Sequence, residues 1–176
     1  MIILEIFKDN FENLEQRKIE YLLSGSYALN LYTPPRTTRD IDIVVDINLQ
    51  NFDSFLEIFS KGFYLNKEAI LEDVKRRTLF NIIHLKEGFK FDFIPKKRNE
   101  ISIEQFRRQK YLKINGFHAW AITAEDLIIS KLQWIQESKS AFQMKDIEEL
   151  LAREDLDKKY IKEWILKLKL NTFNLL

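Results

Sequence analysis

Residues Leu22 to Asp46 read LLSGSYALNLYTPPRTTRDIDIVVD. An apolar run ends in Gly25-Ser26, and Asp40-Ile41-Asp42 then opens a β-branched run, Ile43-Val44-Val45. Side chains alternate between the faces of a strand, so Asp40 and Asp42 share one face and Ile41 takes the other. Two carboxylates held that close repel, and each resists leaving water. A hard divalent cation with oxygen ligands would relieve both. Mg²⁺ suits such a place, because it takes a few carboxylates and fills its remaining positions with waters and substrate phosphates; Mn²⁺ is the alternative. A third carboxylate stands in KFDFIP, where Asp92 lies between Phe91 and Phe93. That is a costly position for an unpaired charge. With the two strands side by side, Asp40, Asp42 and Asp92 form a metal-binding triad.

Gly25-Ser26 supplies the other half. A glycine lets backbone approach a phosphate closely, and a helix start offers free N–H groups and a favourable dipole. Ser26 either caps that helix or gives its hydroxyl to a phosphate oxygen. Each piece alone has an ordinary reading: a strand-to-helix junction, surface charge, a salt-bridged strand residue. Their conjunction in this order carries the functional reading, a triphosphate half and a metal half of one site.

The chain's 176 residues suit one domain, or one domain with a small helical extension. Basic and acidic residues number 28 and 27, so overall charge favours neither nucleic acid nor membrane. The absence of cysteine removes disulfides and thiolate metal sites and fits a reducing compartment. The start, MIILEIFKDNFENLEQ, turns polar and acidic after six residues, unlike a signal peptide. No apolar run approaches a membrane span. These features predict a soluble, cytoplasmic protein with no membrane partner.

The patterning predicts a helix from about Asp9 to Lys18, a short strand in EYLLSG, and a helix from Ser26 to Tyr32 stopped by Pro34-Pro35. A strand over Ile41–Asp46 follows, then helices over Asn51–Ser60 and EAILEDVKR. TLFNIIHL and KFDFIP read as a hairpin around Lys86-Glu87-Gly88. YLKINGFHAWAI reads as a second hairpin turning at Asn115-Gly116. From Thr123 onward the chain reads as three helices, so the expected boundary separates residues 1–122, mixed α/β, from residues 123–176, all helical.

The run GSYALNLYTPPRTTRDIDIVVD resembles the signature of the nucleotidyltransferase superfamily with the DNA polymerase beta-like palm. More narrowly, RTTRDID, EDLIISKL and MKDIEELL are similar to runs in the AbiEii-type toxin nucleotidyltransferases, over roughly Leu22 to Leu151. The resemblance implies an α/β palm, a short mixed sheet flanked by helices, with a C-terminal helical extension. It implies transfer of a nucleoside monophosphate from an NTP to an acceptor hydroxyl on tRNA or another RNA, and an antitoxin protein as partner. A small antibiotic-modifying nucleotidyltransferase and a non-catalytic relative that keeps the fold are the rival readings.

Within Thr123-Ala124-Glu125-Asp126, a capping-box-like helix start, Leu127, Ile128, Lys131, Leu132 and Ile135 follow on one stripe. Lys131 is therefore a cation on an apolar face, either snorkelling to water or reaching a triphosphate. Asp146 lies beside a core stripe in the same way, and a plain Lys131–Asp146 ion pair is the structural alternative. In the resembled group the matching lysine and aspartate are functional, which places Lys131 and Asp146 with Asp40, Asp42 and Asp92 as catalytic candidates. Gly25, Ser26, Arg39 and Lys131 are the nucleotide-binding candidates. Relatives carry an arginine shortly before the Lys-Asp pair; SAFQMKD has none, and Lys139 is the expected substitute. Arg36 and Arg39 flank the acidic pair as phosphate contacts or charge balance. Lys75-Arg76-Arg77, Lys96-Lys97-Arg98 and Arg107-Arg108 are either solvated surface or a phosphate-contacting rim that favours RNA slightly. His84 and His118 are too isolated for a metal site, and Trp120, Trp134 and Trp164 are expected in the core.

Overall fold

The computed structural model describes residues 2–38 and 40–176. Chain order is α1 (Ile2–Gln16), β1 (Tyr21–Leu23), α2 (Gly25–Leu29), β2 (Asp40–Val45), α3 (Phe52–Ile58), β3 (Phe63–Tyr64), α4 (Lys67–Arg76), β4 (Phe80–His84) and β5 (Lys90–Pro95). Then come α5 (Glu100–Arg108), β6 (Lys110–Ile114), β7 (Phe117–Ala121), α6 (Ala124–Glu137), α7 (Ala141–Leu151) and α8 (Lys158–Leu168). The strands form one mixed sheet in the order β3-β4-β5-β2-β1-β7-β6. β2 runs parallel to β5, and β1 parallel to β7; the other neighbours are antiparallel.

Alternation along β2 and β5 gives the sheet two unlike faces. On one, Phe91 and Phe93 meet Phe59, the residue just past α3, Phe91 meets Phe7 of α1, and Phe55 of α3 lies edge-on to Phe93 at 5.0 Å. Phe11 of α1 continues this layer by stacking on Tyr21. Such aromatic pairs supply both buried area and orientation. The other face carries Asp40, Asp42 and Asp92 and is covered by α2, which packs against β2 and α6. α6 packs in turn on α7 and α8. One cluster of buried side chains runs from Phe7 to Ile161, across residue 122.

The first helix begins at Ile2, well before Asp9, because Phe7, Phe11 and Leu14 form one buried stripe. α2 starts at Gly25 rather than Ser26 and closes at Leu29. Two elements are additional to the sequence reading: the edge strand β3, and α5, whose start Asn99 caps by accepting from the Ser102 N–H at 3.1 Å. Asn115-Gly116 turns the second hairpin with φ values of 46° and 102°, the left-handed geometry this dipeptide favours. Trp134 corrects the expectation that it is core: it is 60% exposed, because the α6 stripe of Leu127, Ile128, Leu132 and Ile135 turns it outward. Among the described residues no helix is long and apolar enough to cross a membrane.

Candidate active site

β1 and β2 pair up to Leu23↔Ile43, and the Ser24 N–H extends the ladder by donating to the Asp42 carbonyl at 2.9 Å. The chain then turns at Gly25, whose φ of +57° is left-handed. A Cβ built there would lie 1.9 Å from Asp42 Oδ2. Glycine is thus required twice, by the backbone and by the carboxylate pressed against it. The Ser26 N–H pulls the Asp42 carboxyl down, against the larger effect of burial.

Parallel pairing of β2 with β5 sets Asp42 opposite Asp92, and Asp40 opposite Lys90. All four project from the same face. Asp92 is buried, and its Oδ1 has no hydrogen-bond partner. Its Oδ2 receives the Lys90 ammonium at 2.9 Å, and the same ammonium lies 3.7 Å from Asp40 Oδ1. Lys90 is held above the usual lysine range, chiefly by its hydrogen bond to Asp92. The Asp42 carboxyl is pushed up, first by burial and then by the charge of Asp92, against the pull of the Ser26 N–H and of Lys131. The cluster is short of positive charge.

A second cluster lies across α2. Lys131 Nζ donates to Asp146 Oδ2 at 2.8 Å and to Gln143 Oε1 at 2.7 Å. With only 5% of its side chain exposed, Lys131 does not snorkel. Arg36, from the loop before β2, donates through Nη2 to the same Asp146 oxygen and to Ser26 Oγ, both at 2.9 Å. Its guanidinium lies over the Phe142 ring at 4.1 Å, and its buried Nε has no partner. Asp146 thus holds two cations side by side, leaving a net positive group next to Ser26. Burial pulls the Lys131 pKa down, Asp146 opposes this, and Asp42 also raises it, so the cationic and acidic clusters lie within electrostatic reach.

The structure brings together Gly25, Ser26, Asp40, Asp42, Asp92, Lys131 and Asp146. Arg39 lies outside the described residues. Lys139 does not substitute for the expected arginine: its ammonium sits 5.4 Å from the Phe173 ring, and the arginine beside Asp146 is Arg36, which arrives from a different part of the chain. Lys90 escaped the sequence reading, although the alternation in Lys90-Phe91-Asp92 puts it on the face of Asp92. Gln143 escaped it too; one turn before Asp146, it shares that helix face. His84 stacks on Phe89 and accepts the Glu87 N–H through Nδ1, a structural role. A cleft of about 550 Å³ between α3 and β3 is lined by Asp53, Leu56, Phe59 and Lys67; it lies on the aromatic side of the sheet, apart from the carboxylates.

Among the described residues no three acidic, histidine or cysteine side chains are gathered closely enough to hold a metal alone. The chemistry of the site still fits Mg²⁺. Its donors are hard oxygens, Asp92 keeps an unpartnered buried oxygen, and Mg²⁺ needs only one or two carboxylates beside substrate phosphates.

No family model matches this sequence, and no curated protein does. Solved structures do match in shape. The antibiotic-resistance factor ANT(2'')-Ia aligns with a TM-score of 0.58 at 10% identity, over 96% of this chain and 91% of that one. The fold is that of the nucleotidyltransferases. The lincosamide antibiotic adenylyltransferase LnuA, in a lincomycin-bound structure, aligns with a TM-score of 0.50 at 15% identity, over 79% of this chain and 90% of its own. An antigenic nucleotidyltransferase-like protein from Paracoccidioides brasiliensis aligns at 0.53 and 16%, over 89% and 82%. At these identities the nucleotidyltransferase likeness is one of fold.

Proposed function

We propose that the protein is a Mg²⁺-dependent nucleotidyltransferase that moves a nucleoside monophosphate from an NTP to an acceptor hydroxyl. The observation that carries this is Gly25 pressed on Asp42, with Asp92 directly opposite in the parallel register. A backbone built to fit against one carboxylate, facing a second with an orphaned oxygen, has no use in a purely structural copy of the fold. This weighs against the non-catalytic reading. Asp40, Asp42 and Asp92 would hold the metal only together with the substrate phosphates, and the metal when bound would neutralise phosphate charge and activate the attacking oxygen. Ser26, Arg36 and Lys131 bind the triphosphate, with Asp146 fixing both cations. Asp92 takes the acceptor proton in this reading, as the acceptor oxygen bonds to the α-phosphorus and the bond to pyrophosphate breaks; its unpartnered buried oxygen supports the role.

A small acceptor is better supported than the RNA of an AbiEii-type toxin with its antitoxin. The basic runs do not rim the site. Lys96 pairs with Glu20 and Asp46 at the far end of β2, and Arg77 donates to the Lys96 carbonyl there. Arg107 pairs with Glu104, and Arg108 with Asp126. Antibiotic-modifying enzymes among the structural neighbours use acceptors of the small class, one being seen with adenylyl-2''-tobramycin.

The test is transfer of label from each α-labelled NTP, with Mg²⁺, to total tRNA or to a panel of aminoglycosides and lincosamides. Label should appear on a small acceptor and vanish in Asp42→Asn. No transfer from any NTP to either class would overturn the assignment; transfer to tRNA would restore the RNA reading.

A further inference from the structure

Among the described residues, Lys90 is the only group in the acidic cluster that the proposed reaction does not use. It stands in cross-strand register with Asp40 and two residues before Asp92, so its ammonium reaches both carboxylates from one position. It contacts one oxygen of each and leaves Asp92 Oδ1 without a partner. An ammonium is a single charge with three donors and cannot serve three carboxylates at once. Yet without it a buried carboxylate would face two others uncompensated, which is strongly unfavourable. About a third of the Lys90 side chain is exposed, against 11% for Asp92. The lysine therefore has a path to water that the aspartate lacks.

We infer that Lys90 is a built-in counter-ion of the metal-free site: its ammonium keeps the place between Asp40 and Asp92 that a divalent cation takes, and it leaves for solvent when the ion enters. This rests on the metal-binding reading of the carboxylates. It makes Lys90 a positioning residue, which keeps the triad together before substrate arrives and sets the metal concentration needed to load it.

Two measurements on the full chain test this with Mn²⁺ as the probe. Titrated calorimetrically, Lys90→Met should bind Mn²⁺ roughly fivefold more tightly than wild type, the upper range for displacing a partly exposed ion pair. It should also melt at a lower temperature without metal and regain that loss when Mn²⁺ is added, while Lys90→Arg should keep wild-type affinity. The second measurement uses wild type alone and so does not depend on Lys90→Met folding without metal. Reductive methylation read by mass spectrometry should find Lys90 protected without metal and more reactive at saturating Mn²⁺. Unchanged or weaker Mn²⁺ binding by Lys90→Met, or unchanged Lys90 reactivity, overturns the inference while leaving the metal site standing. Wild type that binds no Mn²⁺, or binds it equally in Asp42→Asn, overturns the metal reading and the inference with it.

Discussion

In the proposed site Gly25 and Lys131 belong to different halves, and each would fail in its own way. Gly25→Ala places a methyl where Asp42 Oδ2 now sits and asks alanine for a φ of +57°. The left-handed backbone alone costs about 1–2 kcal/mol, and the clash must also displace the Asp42 carboxylate from its place opposite Asp92. The variant should melt earlier and lose nucleotidyl transfer together; normal turnover at reduced stability would mean that Asp42 need not hold this position. Lys131→Met keeps the apolar stem, and Arg36 remains on Asp146. Loss of NTP affinity and turnover, on the order of a few kcal/mol in transition-state stabilisation, is expected from Lys131→Met and none from Lys139→Met, which lies by Phe173. Equal small effects would make Lys131 a structural cation. The carboxylates were legible because a two-residue period fixes the face of a strand. Arg36 as the partner of Asp146 was not, since no local period links residues 110 apart in sequence.

At the scale of elements, the helix start at Thr123 does more than cap. Thr123 accepts the Asp126 N–H at 3.2 Å and donates its hydroxyl to Asp126 Oδ2 at 2.8 Å. Arg108 of α5 and Tyr160 of α8 also donate to Asp126, at 3.3 and 2.6 Å. A buried carboxylate thus ties α5, α6 and α8 together, a role that Glu-Asp at a helix start does not announce. Burial dominates and raises the Asp126 pKa above its ordinary 3.8, with Tyr160, Thr123 and Arg108 pulling it down. As pH rises through 3.8 the unfolded chain gives up this proton while the folded chain keeps it. Rising pH therefore favours unfolding until the folded carboxyl ionises as well. Wild type should lose stability relative to Asp126→Asn across that window and run parallel to it above. Urea melts of both proteins from about pH 3 to pH 7 would show this. A gap that moves in favour of wild type would mean that the three donors outweigh burial. The hairpins were legible from Asn115-Gly116 and from β alternation. β3 and α5 were not, because two residues set no period and α5 shows only nine, starting with charge and ending in Arg107-Arg108.

On the scale of the molecule, the sheet decides what the protein can touch. The proposed chemistry sits where β2 and β5 begin, and Lys97 and Arg98 sit just past the end of β5, exposed and at the opposite edge. In a long acceptor such as tRNA, phosphates could bridge that distance; a small acceptor cannot. Replacing both residues by glutamate reverses charge without touching the core, so the fold should stand. With a small acceptor, turnover and KM should stay at wild-type values at every ionic strength. If RNA were the acceptor, apparent affinity would fall steeply with salt, and each lost phosphate contact would flatten that dependence by about 0.7–0.9 in log–log slope. The measurement is KM for the acceptor across a salt series, for wild type and for the Lys97→Glu/Arg98→Glu double variant. A variant that matches wild type at every ionic strength supports the small acceptor. A steep wild-type series that the variant flattens would mean that the far end of the sheet is part of the substrate surface and that the acceptor is a polyanion.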